Sequence, residues 1–217
     1  MYSLSKMANH EQSLADEFNN FLKEKAKRLG ATFHPFSLDG QDRDAGADYL
    51  ITKSSRFALI EFKYKTSNIK EEGKKNRRLE LCKQLEREHK MKELHDKCHF
   101  ISCLQPPDLK LITNIYRLEV CNDSIFGKGH NLSMSSPRES NRISGETFAD
   151  EFFNKSNSRN ISLEEFEIYL AWLLKNTSSS SQSSLELACR DHKANTFSFV
   201  TFASVRAAND WLIENKP

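Results

Sequence analysis

The sequence predicts an α/β chain: an α-β-β-β-α-β core on a mixed central sheet, followed by an α+β C-terminal elaboration. Three observations predict it. Helical and strand periodicities alternate along the first half. A short polar turn joins two strand-like runs at residues 47–65. The 217 residues are 38% hydrophobic and include fifteen phenylalanines, enough for a packed core at this length.

The elements follow in order. From Glu11 to Leu29, Leu14, Phe18, Phe21, Leu22 and Leu29 recur at helical spacing, and Gly30 stops the helix. Residues 31–38 read as a short strand, and its internal Pro35 places it at an edge or bulge. Residues 38–46 are turn chemistry, rich in Asp and Gly. Two strands, 47–52 and 56–65, form a hairpin around Lys53, Ser54 and Ser55. Residues 66–76 read as a charged, flexible connection, and Arg77 to about His95 as one helix. Strands follow at 98–104, ended by Pro106-Pro107, and at 109–121.

Asn122 to Gly145 shows no periodicity and reads as a loop or insertion. Helices are expected at 147–153 and 162–174, the latter opened by a Ser162/Glu165 capping box. Residues 176–184 read as a serine-rich linker. A second hairpin, 185–191 with 196–202, and a helix at 204–214 close the chain. The expected organisation is therefore a core at 1–121, an insertion at 122–145, and an extension at 146–217 that packs on the core.

Composition excludes several classes. Charged residues make up 29% with 32 basic against 30 acidic, which describes a globular chain and not a disordered one. No apolar run approaches the length of a membrane span, and the first twelve residues lack the apolar stretch of an export signal. A cytoplasmic location and no membrane partner are expected. The five cysteines are odd in number and never form a CxxC pair, which argues against a disulfide framework or a zinc knuckle. The histidines, His89, His95, His99 and His192 among them, read as structural or surface residues. No phosphate-cradling GxxxxGK[ST] loop is present.

The net charge of +2 hides an asymmetry. Between Lys63 and Lys92, eleven basic residues stand against five acidic ones. Such a stripe is either a solvated helix face or a phosphate-backbone contact. Its candidate nucleic-acid contacts are Lys65, Lys74, Lys75, Arg77, Arg78 and Lys83.

The chemistry centres on Asp48, Glu61 and Lys63. Alternate residues share a strand face, so Glu61 and Lys63 point one way while Ala58, Ile60, Phe62 and Tyr64 point the other. A hairpin closing at Ser54-Ser55 pairs Thr52 with Phe57, Leu50 with Leu59, and Asp48 with Glu61. Two opposed carboxylates destabilise a sheet unless something compensates them. Mg²⁺ suits such a site, because it takes hard oxygen ligands from one or two carboxylates plus phosphate. The Phe62 carbonyl offers a further oxygen. Lys63 is placed either to hold or deprotonate a water or to stabilise transition-state charge.

This arrangement resembles the PD-(D/E)XK nuclease superfamily, whose pattern is an Asp on one strand and Glu-x-Lys on the next. Here it stands as GADYLI and FALIEFKYK, with twelve residues between Asp48 and Glu61. Ala47 replaces the nominal Pro of the motif. The resemblance covers about 95 residues and implies a restriction-endonuclease-like core. It implies an enzyme that hydrolyses phosphodiester bonds with Mg²⁺ or Mn²⁺, DNA being the favoured substrate and endonucleolytic cutting the favoured mode. Prokaryotic defence, restriction or mobile-element biology is the setting it suggests, and a homodimer or a subunit of a larger complex the assembly. It further implies a metal-binding Glu on the first helix, for which Glu17 is first choice and Glu11 second. It also implies a residue near the scissile phosphate on the helix after Glu-x-Lys, for which Gln84 is the candidate. The alternative is a catalytically silent nuclease-fold subunit that binds nucleic acid or a partner protein.

Overall fold

The computed structural model describes residues 4–38, 46–53, 55–154, 159–177, 185–191, 196–202 and 205–214. Asp42, Asp44, Ser54, His192 and most of the 176–184 segment lie outside the described residues.

Helix α1 (Leu4–Arg28) begins earlier than its apolar pattern suggests. Ala15, Phe18, Leu22 and Ala26 are buried at three- and four-residue intervals, which lays one stripe against the sheet. Gly30, at φ +62°, turns the chain while the Ala31 amide donates back to the Ala26 carbonyl at 2.9 Å.

Seven strands form one open, mostly antiparallel sheet in the order β1 (His34–Ser37), β2 (Tyr49–Lys53), β3 (Arg56–Lys65), β4 (His99–Gln105), β5 (Lys110–Ile115), β6 (Ile143–Ser144), with β7 (Ile161–Ser162) also on β3. β1 lies at the edge, where the missing amide hydrogen of Pro35 costs no central ladder bond. The β2–β3 hairpin takes the expected register, with Thr52 opposite Phe57 and Leu50 opposite Leu59. β3 and β4 run parallel, so the chain must cross over between them.

That crossover differs from its expected form. Residues 66–74 are a 3₁₀ helix (Thr66–Lys74) in which Ile69 and Glu72 are buried, not a flexible connection. Gly73 permits this packing, because a Cβ there would stand 2.4 Å from the Ile125 carbonyl oxygen. The expected single helix is two, α2 (Asn76–Arg87) and α3 (His89–Cys98), with Glu88 out of helical conformation between them (ψ 89°). Residues 109–121 are also divided. The strand stops at Ile115, and α4 (Tyr116–Val120) turns Tyr116, Leu118 and Val120 into the core.

Residues 122–145 are largely irregular but contain α5 (Asp123–Phe126), a 3₁₀ turn (Glu139–Asn141) and β6. A buried ion pair ties this segment down: Arg142 grips Glu119 with Nε at 2.7 Å and a second guanidinium nitrogen at 2.9 Å. Asn114 donates to the same carboxylate at 2.7 Å.

Helices cover both sheet faces. One core packs Leu50, Leu59 and Ile101 against Leu81 and Leu85 of α2, Leu94 of α3, and Phe166 and Leu170 of α7 (Leu163–Thr177). The other packs Ile51, Ile60 and Phe62 against α1 and against Phe148 and Phe152 of α6 (Gly145–Phe153). Residues 145–177 therefore contribute to both cores. The Ser162/Glu165 capping box forms as expected, with reciprocal bonds of 3.0 and 3.2 Å. A separate two-stranded sheet, β8 (Leu185–Asp191) with β9 (Thr196–Phe202), precedes α8 (Val205–Glu214).

One cysteine expectation is corrected. Cys82 of α2 and Cys121 after α4 are joined as a disulfide within the first core. Their separation of 39 residues carries no spacing signal, and folding alone brings α2 beside the end of α4. Cys98 and Cys103 are buried thiols. Among the described residues, no helix is long and apolar enough to cross a membrane.

Candidate functional site

The site grows from the end of the β2–β3 hairpin. Regular pairing ends at Tyr49–Ile60, and one step further the Asp48 amide donates to the Ile60 carbonyl at 3.0 Å. The Asp48 carboxylate then accepts the Phe62 amide at 2.6 Å, which holds it beside Glu61. Glu61 and Lys63 share the sheet face covered by α2, α3, α4 and α7. Both are buried, Glu61 at 1% exposure and Lys63 at 7%.

The Lys63 ammonium donates to Glu61 Oε1 at 2.5 Å and to the Phe62 carbonyl at 3.1 Å, and it lies 3.3 Å from Glu72 Oε1. Glu72 came from the segment expected to be flexible, and its burial could not be read from charge pattern. Its carboxylate has four partners: Lys75 at 2.7 Å, Lys63, Arg78 Nε at 3.2 Å, and the Tyr116 hydroxyl at 2.6 Å. Lys75 also lies 3.4 Å from Glu61 Oε1. Three carboxylates, Asp48, Glu61 and Glu72, thus meet three cations, Lys63, Lys75 and Arg78.

The electrostatics divide the carboxylates. Burial, and then the Glu61 charge, push the Asp48 carboxyl well above the usual carboxylate range, against the opposing pull of Lys63, the Phe62 amide and Lys75. Burial alone would also raise Glu72, but Lys63, Lys75 and Arg78 outweigh it and hold that carboxyl below its usual range. Burial alone would lower Lys63, yet Glu61, Glu72 and Asp48 together raise it above the ordinary lysine value. An ammonium held in this way donates hydrogen bonds. Of the roles open to Lys63, holding a water or stabilising negative charge suits it better than proton abstraction.

The residues present fit a hard divalent cation. Asp48, Glu61 and the Phe62 carbonyl are an all-oxygen donor set. Burial first, and then the neighbouring Glu61 charge, raise the Asp48 carboxyl, and a bound cation would offset both. Among the described residues, no three His, Cys, Asp or Glu side chains cluster with metal-ligating geometry. The chain would therefore supply two carboxylates and one carbonyl, leaving other positions to water or phosphate.

A second network supports Asp48 from behind. His99 Nε2 bonds the Gly46 carbonyl at 2.8 Å, His99 Nδ1 bonds the Tyr169 hydroxyl at 2.7 Å, and Tyr169 bonds His95 Nδ1 at 2.8 Å. The Arg117 amide donates to His95 Nε2 at 3.2 Å. Donors and acceptors then run one way: His95 Nδ1–H to Tyr169, Tyr169 O–H to His99, and His99 Nε2–H to Gly46. Both rings are neutral. Burial, His99 and Arg117 push His95 far below the usual histidine value. Burial brings His99 to about 3, with Arg78 adding to the fall and the Gly46 bond opposing it. The structural reading of these two histidines stands, with the addition that they anchor the Gly46 turn two residues before Asp48. Gly46 sits at φ +70°, and a Cβ there would meet an Arg78 guanidinium nitrogen at 2.9 Å.

The remaining sequence candidates are placed differently. Glu17 is exposed on α1, in a groove with Leu14, Phe21, Leu111 and Glu146. Helix α1 covers the sheet face opposite Glu61 and Lys63. Glu11, one end of the same helix, accepts the Tyr64 amide at 3.1 Å and stands next to the strand end that carries Lys63. Gln84 bonds Glu80 at 2.8 Å on the flank of α2, outside the carboxylate cluster. Arg78 is 1% exposed and committed to Glu72, so burial removes it from the basic surface expected of it. Lys65 lies 4.9 Å over the Tyr64 ring, Lys74 is exposed beside Glu71, and Arg77 and Lys83 are half-buried. Lys75, 39% exposed at its side chain, is the cation that links this surface to the buried cluster.

Comparison with known protein families, with curated proteins and with solved structures returned no match for this chain.

Proposed function

We propose that the chain is a metal-dependent nuclease of the PD-(D/E)XK kind, on a restriction-endonuclease-like core, acting on phosphodiester bonds with DNA favoured. The observation that carries the reading is the convergence of Asp48, Glu61 and the Phe62 carbonyl beside the buried Lys63 ammonium. Asp48, Glu61 and Phe62 would hold Mg²⁺ or Mn²⁺, which supplies an activated water and charge for the phosphate oxygens. Lys63 donates to the water or to the developing negative charge. Lys75, Lys74 and Lys65 face the backbone phosphates, an interaction that weakens with salt. Cutting both strands of a duplex takes two such sites, hence a homodimer or a larger complex.

The test is cleavage of plasmid, linear duplex, single-stranded DNA and RNA with Mg²⁺ or Mn²⁺. Glu61→Ala and Lys63→Ala are each expected to remove at least about a hundredfold of the rate, the scale of one electrostatic contributor. Unchanged cutting by either purified variant would end this mechanism.

A second reading, a nuclease-fold subunit without turnover, draws on the charge balance of the cluster. Lys63 already contacts two of the oxygens a cation would take. That subunit binds nucleic acid equally well in the presence of a chelator.

A further inference from the structure

The Lys63 ammonium lies between two carboxylates. It contacts Glu61 Oε1 at 2.5 Å and Glu72 Oε1 at 3.3 Å. An ammonium on that oxygen repels a cation approaching it, so loading is favoured when Lys63 has a second anionic partner within reach. Glu72 is built as that partner. It is fully buried, and its own position is set by Arg78 and Tyr116 on Oε2, leaving Oε1 to the two lysines. The close approach of Gly73 to the Ile125 carbonyl fixes the backbone next to it.

We propose that Glu72 is a positioning residue that receives Lys63 from Glu61 and so frees the Glu61 carboxylate for a divalent cation. The inference rests on the metal-site reading above. On loading, the short ion pair of Lys63 passes from Glu61 to Glu72, and Lys75 keeps its bond to Glu72 and leaves Glu61. Without Glu72, Lys63 is left with Glu61 and Asp48 as its near anions, the two carboxylates the cation would take, and competes with the cation for them, whereas Lys75, 39% exposed at its side chain, turns to solvent.

A calorimetric Mn²⁺ titration of the full chain tests this, with Glu72→Gln measured in the natural background and in Lys63→Met. With Lys63 present, Glu72→Gln is expected to weaken Mn²⁺ binding about tenfold or more. In the Lys63→Met background the same change is expected to shift binding by less than about threefold, because the residue it positions is gone. Equal weakening in both backgrounds would mean only that a negative charge was lost nearby, and would overturn the proposal. So would an unchanged affinity in the single variant. A natural chain that takes up no Mn²⁺ overturns the metal reading and this inference together. Should Glu72→Gln fail to fold, Tyr116→Phe loosens the same carboxylate by one hydrogen bond. It is expected to weaken Mn²⁺ binding only where Lys63 is present, and weakening in both backgrounds or neither would overturn the proposal.

Discussion

Removing one oxygen atom, by Tyr169→Phe, probes the network behind Asp48. The Tyr169 hydroxyl makes the hydrogen-bonded link between His95 and His99, at 2.8 and 2.7 Å, and all three side chains are fully buried. The substitution leaves the His95 Nδ1 hydrogen without an acceptor and the His99 Nδ1 lone pair without a donor. An unsatisfied buried polar group costs about 1–3 kcal/mol, so two give a range of about 2–6 kcal/mol. Partial relaxation of the rings places the expected loss near about 3 kcal/mol. At a urea slope of about 2 kcal/mol/M, the unfolding midpoint falls by about 1.5 M with the slope unchanged. Tyr49→Phe is the control. Its hydroxyl bonds Gln12 at 2.9 Å and Asp16 at 3.4 Å near solvent, so less than about 1 kcal/mol should be lost. A Tyr169→Phe loss no larger than that control would refute the relay.

Three further outcomes follow from the same packing. His99 falls from 6.5 unfolded to about 3 folded, so its contribution is complete above pH 6.5 and is lost as pH drops toward 3. The loss at pH 5 is about 2 kcal/mol by linkage. Asp48 shifts the other way and gains stability on acidification, so the histidine effect is read as the pH-dependent difference between the natural chain and His99→Gln in urea titrations. The Cys82–Cys121 disulfide closes a loop across a 39-residue separation, which in the chain-entropy account contributes about 4 kcal/mol. Unfolding with and without a reductant measures it, and coincident midpoints would show that the bridge contributes nothing. Arg142→Ala strands the Glu119 carboxylate, 1% exposed, and should cost about 3 kcal/mol in the same assay.

Much of the local order was legible in the sequence because its causes are local. The helical spacing of Leu14, Phe18, Phe21 and Leu22 writes α1 into the chain and Gly30 writes its end, although the buried stripe is Ala15, Phe18, Leu22 and Ala26 and Leu29 is exposed. The alternation through FALIEFKYK, with a short polar turn before it, specifies both the hairpin and its register. That register carries the ladder to Tyr49–Ile60, one step short of the expected Asp48–Glu61 pair, and the Phe62 amide then holds the Asp48 carboxylate beside Glu61. The Ser162/Glu165 cap is equally local.

What the tertiary structure alone decided is where charge goes when it is buried. Residues 66–76 and the start of the helix after them look like a solvated polar run, and nothing in their spacing separates Glu72 from the half-buried Glu71 or Arg78 from Arg77. Glu72 becomes fully buried because α4 delivers Tyr116, β3 delivers Lys63 and α2 delivers Arg78 to the same point. These partners lie 6 to 44 positions away in sequence. The same holds for Cys82 with Cys121, and for Tyr169 reaching His99 from α7. A buried polar group is tolerable only when its partners arrive with it, and arrival from distant segments depends on how the elements pack. The sequence by itself brought Asp48 and Glu61 to the same end of one hairpin; the packing of four helices onto that face decided that Lys63 stands between Glu61 and Glu72.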